Sequence, residues 1–240
     1  FQDAGFSNAF FLAPSLKYEV NDKLTFLVNT EFYKNTSAKA SMIFLSRYSP
    51  LSFDSMELFD KNYKRSFTSN DLTMNNNSFN MQMQALYKLS NNWTSQTVLS
   101  KSTTKTNGYY HYLWDSANGD EFTRFISKAD GTFYTTDIQQ NFIGDFKIGN
   151  MRNRLVARLD YYNSRLINGG SGWVSNGVVS LVNGTDSGVL TQAGTDALLT
   201  GSFAGNTEAN QEIMSAYVSD VLNITNKLSV MASLRLDYFD

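Results

Sequence analysis

Cysteine is absent from the 240 residues, which rules out disulfides and thiolate metal sites. The single histidine, His111, excludes a multi-histidine metal centre and an acid–base pair of histidines. Proline occurs only twice, and there are no long helix-forming tracts. No run of about eighteen apolar residues exists, so no transmembrane helix is encoded. Charge is sparse: a net −2 without a basic block gives no reason to expect nucleic acid or an anionic phospholipid surface. No nucleophile elbow, phosphate-binding loop or metal-ligand spacing is found, so neither an enzyme nor a cofactor is expected. Phe1 is not followed by a basic and then an apolar stretch, so no export signal is visible.

Aromatic residues are plentiful: eighteen Phe, thirteen Tyr and three Trp make up 14% of the chain. Apolar residues reach 42% and the mean hydropathy is −0.32, values also found in soluble proteins. A membrane β-barrel gives similar averages, because only alternate residues of each strand meet lipid. Periodicity therefore has to decide.

Four pairs of alternating segments flank short polar turns at Asn21-Asp22-Lys23, Ser90-Asn91-Asn92, Gly149-Asn150-Met151-Arg152 and Thr225-Asn226-Lys227. Phe10, Leu12, Pro14, Leu16, Tyr18 and Val20 share one face, with Lys17 and Glu19 on the other. Leu24, Phe26, Val28, Thr30 and Phe32 alternate with Thr25, Leu27, Asn29 and Glu31. Phe79, Met81, Met83, Ala85 and Tyr87 oppose Asn80, Gln82, Gln84 and Lys88, and a more polar return strand runs from Trp93 to Lys101. The third pair sets Ile138, Phe142, Leu155, Ala157, Leu159 and Tyr161 against Asp137, Gln139, Asn141, Arg154, Arg158 and Asp160. In the fourth, Glu212 to Leu222 leaves its face undecided, whereas Leu228, Val230, Ala232, Leu234, Leu236 and Tyr238 clearly oppose Ser229, Ser233, Arg235 and Asp237. Pro14 has to sit at a bulge or break, since it cannot donate to a ladder.

Segments of about ten residues exceed the usual five or six of a sandwich strand and suit a tilted lipid span. Tyr18, Tyr87, Trp93 and Phe146 lie near the short turns; Phe32, Phe79, Tyr161 and Tyr238 lie near the long loops, as two interfacial belts. The expected fold is all-β: an antiparallel meander of about eight strands, part of a larger transmembrane β-barrel, with long loops at about 33–77, 103–134 and 164–209. Three long loops against four short turns place both ends of the chain at the outer rim. A piece from the middle of a larger wall is the expectation.

Within that frame the chain resembles the barrel of TonB-dependent outer-membrane receptors, in particular the ferric-siderophore (ferrichrome-type) branch. The hairpin from Phe10-Phe11-Leu12-Ala13-Pro14-Ser15-Leu16 through Asn21-Asp22-Lys23-Leu24-Thr25 to Glu31-Phe32 looks like that branch's PSL…ND…T…E hairpin. Asn141-Phe142-Ile143-Gly144-Asp145-Phe146 with Arg154 to Tyr161 is similar to the hairpin leading into its L-x-x-G-x-D-Y strand. Ala216-Tyr217-Val218-Ser219-Asp220 and Leu228 to Phe239 resemble its Y-x-Q-D…L…G-x-R-x-D-x-F pair. Arg158 and Ser233 stand where that family often has glycine, and Ser219 where it often has glutamine. The resemblance implies uptake of a ferric siderophore or similar iron chelate across the outer membrane of a Gram-negative bacterium. Its partners would be membrane lipid, the chelate, and the TonB complex acting through an amino-terminal plug. Plug, TonB box, further strands and an aromatic terminal strand are absent from the segment.

Ligand capture in such a receptor falls to the loops. The first carries Arg47, Tyr48, Phe53, Phe59, Lys61, Tyr63, Lys64, Arg65 and Phe67. The second packs Tyr109, Tyr110, Tyr112 and Trp114 around His111, with Arg124 available for an anionic catechol- or hydroxamate-bearing chelate. The third offers Trp173 after a Gly- and Ser-rich stretch, readable as a mobile lid or as a solvated loop. The same aromatics also fit a packing role, and His111 a loop hydrogen bond. Arg154, Arg158, Arg235, Asp160 and Asp237 are read as a polar lumen network. A passive porin or small complete barrel, and a soluble β-rich binding or adhesion module, are the competing readings.

Overall fold

The computed structural model describes residues 2–45, 55–116, 120–203 and 205–240. Its strands are β1 (Phe6–Leu12), β2 (Ser15–Glu19), β3 (Leu24–Ala38), β4 (Met42–Phe44), β5 (Met74–Lys88), β6 (Trp93–Asp115), β7 (Glu121–Ile148), β8 (Met151–Asn168), β9 (Val174–Ser180), β10 (Thr207–Thr225) and β11 (Leu228–Phe239). Two short helices, α1 (Met56–Asn62) and α2 (Gln192–Leu199), lie between them. All the strands belong to one open sheet ordered β1-β3-β5-β6-β7-β8-β10-β11, with β2 also on β3, β4 on β6 and β9 on β7.

Because β1 and β2 both pair with β3 and are interrupted at Ala13-Pro14, they form one broken wall strand. The break answers to Pro14, whose carbonyl accepts from Thr30 N at 3.0 Å while its own ring nitrogen has nothing to donate. Counted that way the wall has the eight expected strands, in sequence order and antiparallel throughout.

The tight turns are held by local chemistry. Asn21 Oδ1 accepts from Lys23 N and Leu24 N, Ser90 Oγ from Asn92 N, and Thr225 Oγ1 from Lys227 N. The third turn is shorter than the spacing suggested: only Gly149 and Asn150 separate β7 from β8, and Gly149 takes φ 60°. That left-handed position is what allows a two-residue hairpin.

Register sorts the faces. Val28 lies between Leu16 and Met83, Phe142 opposite Ala157, and Ala157 opposite Val218, which faces Leu234. On the reverse face Asn29 meets Gln82, Asn141 meets Arg158, and Tyr217 lies between Arg158 and Arg235. β10 is thereby settled: Met214, Ala216 and Val218 share the apolar face, while Ser215, Tyr217 and Ser219 share the polar one. Its pattern was ambiguous because Tyr217 is an aromatic on the polar side, where the Arg158 guanidinium lies 6.0 Å from its ring.

The polar face is cross-linked by side chains. Asn80 Nδ2 donates to Glu31, Ser102 Oγ to Asn80, Gln96 to Gln84, Asn141 to Gln96 and Arg158 Nε to Asn141. Arg235 Nε donates to Asp237 at 2.8 Å, and its guanidinium lies 3.7 Å from Asp160. On the apolar face Leu159, Leu234 and Leu236 remain more than 60% exposed, since no second sheet covers them among the described residues. A soluble sandwich buries such a face; a barrel wall offers it to lipid.

Candidate functional site

Above the wall the two strands flanking the second turn-to-loop excursion continue as one ribbon. The β6–β7 register runs unbroken from Trp93↔Gly144 to Asp115↔Phe122, so residues 103–134 are almost entirely strand. The other expected loops are also trimmed: β3 extends to Ala38, β5 starts at Met74, β8 ends at Asn168 and β10 begins at Thr207. What lies between them folds onto the ribbon. β4 adds in parallel beside Tyr112–Trp114, and β9 adds antiparallel beside Phe122–Ile126.

Strand alternation then splits the aromatic stretch. Tyr109, His111 and Leu113 point to one side, with Phe122, Arg124 and Ile126. That side is covered. Phe67, Leu113, Phe122, Val179 and Leu181 form one buried cluster against Leu58; Leu72, Tyr109, Ile126 and Leu199 form another against Val174 and Leu190. The three excursions thus make a cap with its own core.

Polar anchors complete the cap. Tyr109 Oη donates to Asp196 on α2 at 2.8 Å, and Lys128 Nζ donates to the same oxygen at 2.7 Å. Burial pushes the Tyr109 hydroxyl up, and its bond to Asp196 adds to this. Arg124 is fully buried. Its guanidinium grips both carboxylate oxygens of Asp186, at 2.7 and 2.5 Å, and donates to the Phe67 carbonyl at 3.1 Å. Burial pushes the Asp186 carboxyl up, but hydrogen bonds from Arg124 and Gly188 N outweigh it and hold it below the usual range.

The expectation that Arg124 meets an anionic ligand is therefore corrected: its charge is spent on Asp186, away from solvent. Tyr109, only 6% exposed, is likewise a core residue. Within the glycine-rich 169–172 stretch, Gly170 serves close backbone approach. A Cβ on Gly170 would meet the Lys128 carbonyl at 2.8 Å, and Ser171 exchanges hydrogen bonds with the Lys128 backbone.

His111 bridges the cap as well. Its Nδ1 is 2.6 Å from Ser41 Oγ and its Nε2 is 2.9 Å from Thr68 Oγ1. Ser41 Oγ already donates to the Phe67 carbonyl, so the ring must donate from Nδ1 and accept at Nε2. In that tautomer Nδ1 cannot take a proton from Ser41, and the pair is structural rather than nucleophilic. Burial, then the nearby Arg124 charge, lowers the His111 pKa from 6.5 to about 4. The folded cap therefore resists a proton that the unfolded segment accepts below 6.5, and its stability is lost as the pH falls from 6.5 through about 4. We expect about 2 kcal/mol of local stability to be lost by pH 5, rising to about 3 at full protonation. Amide exchange at Tyr109–Leu113, corrected for intrinsic rates, should accelerate accordingly, and His111→Gln should remove the pH dependence. Exchange that is flat between pH 7.5 and 5 in the parent sequence contradicts this.

The opposite side of the ribbon carries Tyr110, Tyr112 and Trp114 with Thr123, Phe125 and Ser127. By register it continues the polar, inward face of the wall. Tyr112 is its hub: the ring centroid lies 5.2 Å from Phe44, 5.3 Å from Phe125 and 4.9 Å from Trp173. Phe44 also approaches Trp114 at 6.1 Å. Tyr110, Trp114 and Trp173 are each about half exposed. Four of the six expected site residues thus lie on one ribbon face, with Tyr112 and Trp173 in direct contact, while Tyr109 and Arg124 are turned away. Phe44 and Phe125 were missed; their alternation with Tyr112 in paired strands was the available signal.

The first-loop residues Arg47, Tyr48 and Phe53 lie outside the described residues. Phe59 and Tyr63 stack at 6.4 Å on the exposed side of α1, and Lys61 pairs with Glu57. Lys64 lies over Tyr63. Arg65 donates to the Ser180 and Gly184 carbonyls, tying the first excursion to the third, and Phe67 is buried.

No family model and no curated protein sequence matches the chain. Solved structures do. The ferric preacinetobactin receptor BauA from Acinetobacter baumannii superposes with a TM-score of 0.72 at 12% identity, over 98% of this chain and 34% of its own. The ferric-catecholate import receptor Fiu from E. coli, in its closed form, gives 0.74 at 15% over 99% and 35%. The ferripyoverdine receptor of the outer membrane of Pseudomonas aeruginosa gives 0.74 at 10% over 99% and 31%. The chain spans about a third of the length of each. Its fold, wall and cap together, is that of a barrel segment from TonB-dependent siderophore receptors.

Proposed function

We propose that this chain is part of the wall and outer cap of a TonB-dependent outer-membrane receptor that imports a ferric siderophore or similar iron chelate in a Gram-negative bacterium. The observation that carries this reading is the superposition of nearly the whole chain on receptors of that kind. The aromatic face agrees with it, because rigid rings supply contact area at low entropic cost. Transport of this sort needs no bond chemistry from the wall. The TonB complex acts on a plug, and the apolar face meets lipid.

The test uses the full-length parent protein in cells lacking other iron receptors. Uptake of radiolabelled ferric chelates should saturate and should vanish when TonB is deleted. Uptake that is linear in concentration and indifferent to TonB supports a passive porin instead. Tyr112→Ala should weaken chelate binding by about tenfold or more, as loss of a central aromatic contact does. Trp173→Ala should act in the same direction, because the two rings touch. Unchanged affinity in both variants removes this face from the binding site.

A further inference from the structure

The outward face of the wall carries a charge pattern that no single stretch of sequence shows. Lys34 on β3 and Lys105 on β6 flank Asn77 of β5 from either side, and Lys101 stands four residues below Lys105. Alternation puts all three on the side of Val28, Phe79 and Leu99, opposite to Glu31 and Asn80. They are exposed, and none has an ion-pair partner among the described residues. Below Asn107 the same faces of β3, β5 and β6 carry no carboxylate. On the adjoining strand β7 the outward carboxylate is Asp130, which accepts from Asn107. Tyr87 and Phe79 mark the two aromatic belts on β5, eight residues apart. Trp93 to Lys101 is the same span on β6, so Lys101 lies at the outer belt with Lys105 above it. Lys34 lies just beyond Phe32 on β3. All three ammonium groups are thus at the height of lipid head groups.

Beneath them the same strands, with β2, enclose an apolar hollow of about 360 Å³ lined by Leu16, Phe26, Val28, Met83, Ala85 and Leu99. It exists because the small Ala85 and Thr97 are paired beside Phe26. Lys34 and Lys105 are two inter-strand steps apart, roughly 10 Å, and Lys101 is about 13 Å from Lys105 along its strand. Flexible lysine stems can converge over such spans on one head group. Three ammonium groups without a counter-charge call for a head with more than one negative charge. The hollow below suits an acyl chain. We propose that this face seats one multiply acylated lipid carrying two phosphates, drawn from the outer leaflet. Its phosphates meet Lys34, Lys101 and Lys105, and one chain fills the hollow. The site rests on the reading of the wall as membrane-embedded, and not on what is imported.

The experiment titrates diphosphoryl or monophosphoryl lipid A into the purified full-length parent protein in mixed micelles, with retained lipid read by native mass spectrometry. The two probes share sugar and chains and differ by one phosphate. The diphosphoryl form should bind at least fivefold more tightly, a threshold set by about fivefold per lysine at a membrane surface. Replacing Lys34, Lys101 and Lys105 together by Gln should weaken it by about a hundredfold. That variant should keep the heat-dependent gel mobility of an assembled barrel. Replacing Lys23, Lys88 and Lys147 by Gln, at the short-turn end, makes the same change in net charge and should leave binding as it was. Ala85→Phe should weaken both probes alike, because it fills the hollow without touching a charge. Millimolar pyrophosphate should not displace the lipid. An assembled barrel that binds both forms equally overturns this site alone, as does equal loss in the two triple variants or displacement by pyrophosphate. A parent protein that never assembles in lipid overturns the wall reading and the site with it.

Discussion

Replacing Arg124 by Met should unfold the cap while leaving the wall intact. The side chain is 0% exposed and pairs directly with Asp186, to which Arg65 adds a weaker attraction, and it donates to the Phe67 and Asn176 carbonyls. Methionine matches its stem but none of those bonds. Asp186 is then left with a largely buried carboxylate, at 22% side-chain exposure, the Asn176 carbonyl loses the Arg124 donor, and the Phe67 carbonyl keeps only Ser41. Removing one member of a buried pair costs about 3–5 kcal/mol. The residual exposure of Asp186 lets water reach it, so the lower end, about 3 kcal/mol, applies here. A small cap with two buried clusters has little more than that to lose.

Limited proteolysis should therefore cut Arg124→Met within the 181–191 segment at conditions where the parent is resistant, with unaltered heat-dependent mobility of the barrel. Gly188→Ala should mimic it, because a Cβ there would lie 1.8 Å from an Arg124 nitrogen and 2.8 Å from the Asn176 carbonyl. Adding Asp186→Leu to Arg124→Met should restore part of the protection, since an unpaired carboxylate is worse than no pair. Full resistance of Arg124→Met to protease would show that the ion pair is dispensable.

The same residue marks where sequence reading stopped. The wall was legible because each strand has one apolar and one polar face, and period two survives in a single sequence. The upper ribbon has no such contrast. Tyr109 to Trp114 is aromatic or apolar at nearly every position, since one face packs against Leu72 and Leu199 and the other presents the Tyr112 cluster. A strand occupied on both faces reads as an uninterrupted run, and here it passed for loop. Its partners come from far along the chain: Asp186 is 62 residues from Arg124, and Asp196 is 87 from Tyr109. No local pattern encodes such pairings. The close approach at Gly170 was equally illegible, because flexibility and close packing require the same residue.

The wall register makes the other large effect calculable. Val28 lies four residues from Leu24, which pairs with Tyr87 at the turn end, and four from Phe32, which packs on Phe79 at 4.9 Å. It is thus midway between the two aromatic belts, flanked by Leu16 and Met83. Asn29, one residue on, faces Ser15 and Gln82 on the polar side. In the full-length protein, arginine at position 28 must carry its charge into the hydrocarbon midplane, at about 2–4 kcal/mol, or distort the bilayer to escape it. Arginine at position 29 meets the side-chain amides and carboxylate of the lumen face, where Glu31 and Asn80 are already hydrogen-bonded. Val28→Arg should therefore depress the heat-modifiable, membrane-assembled fraction by tenfold or more, since each 1.4 kcal/mol is about a factor of ten, while Asn29→Arg assembles almost normally. The contrast is stringent because a register slip of one residue inverts it. Equal assembly of the two variants, or the reverse order, would mean that the faces are assigned the wrong way round.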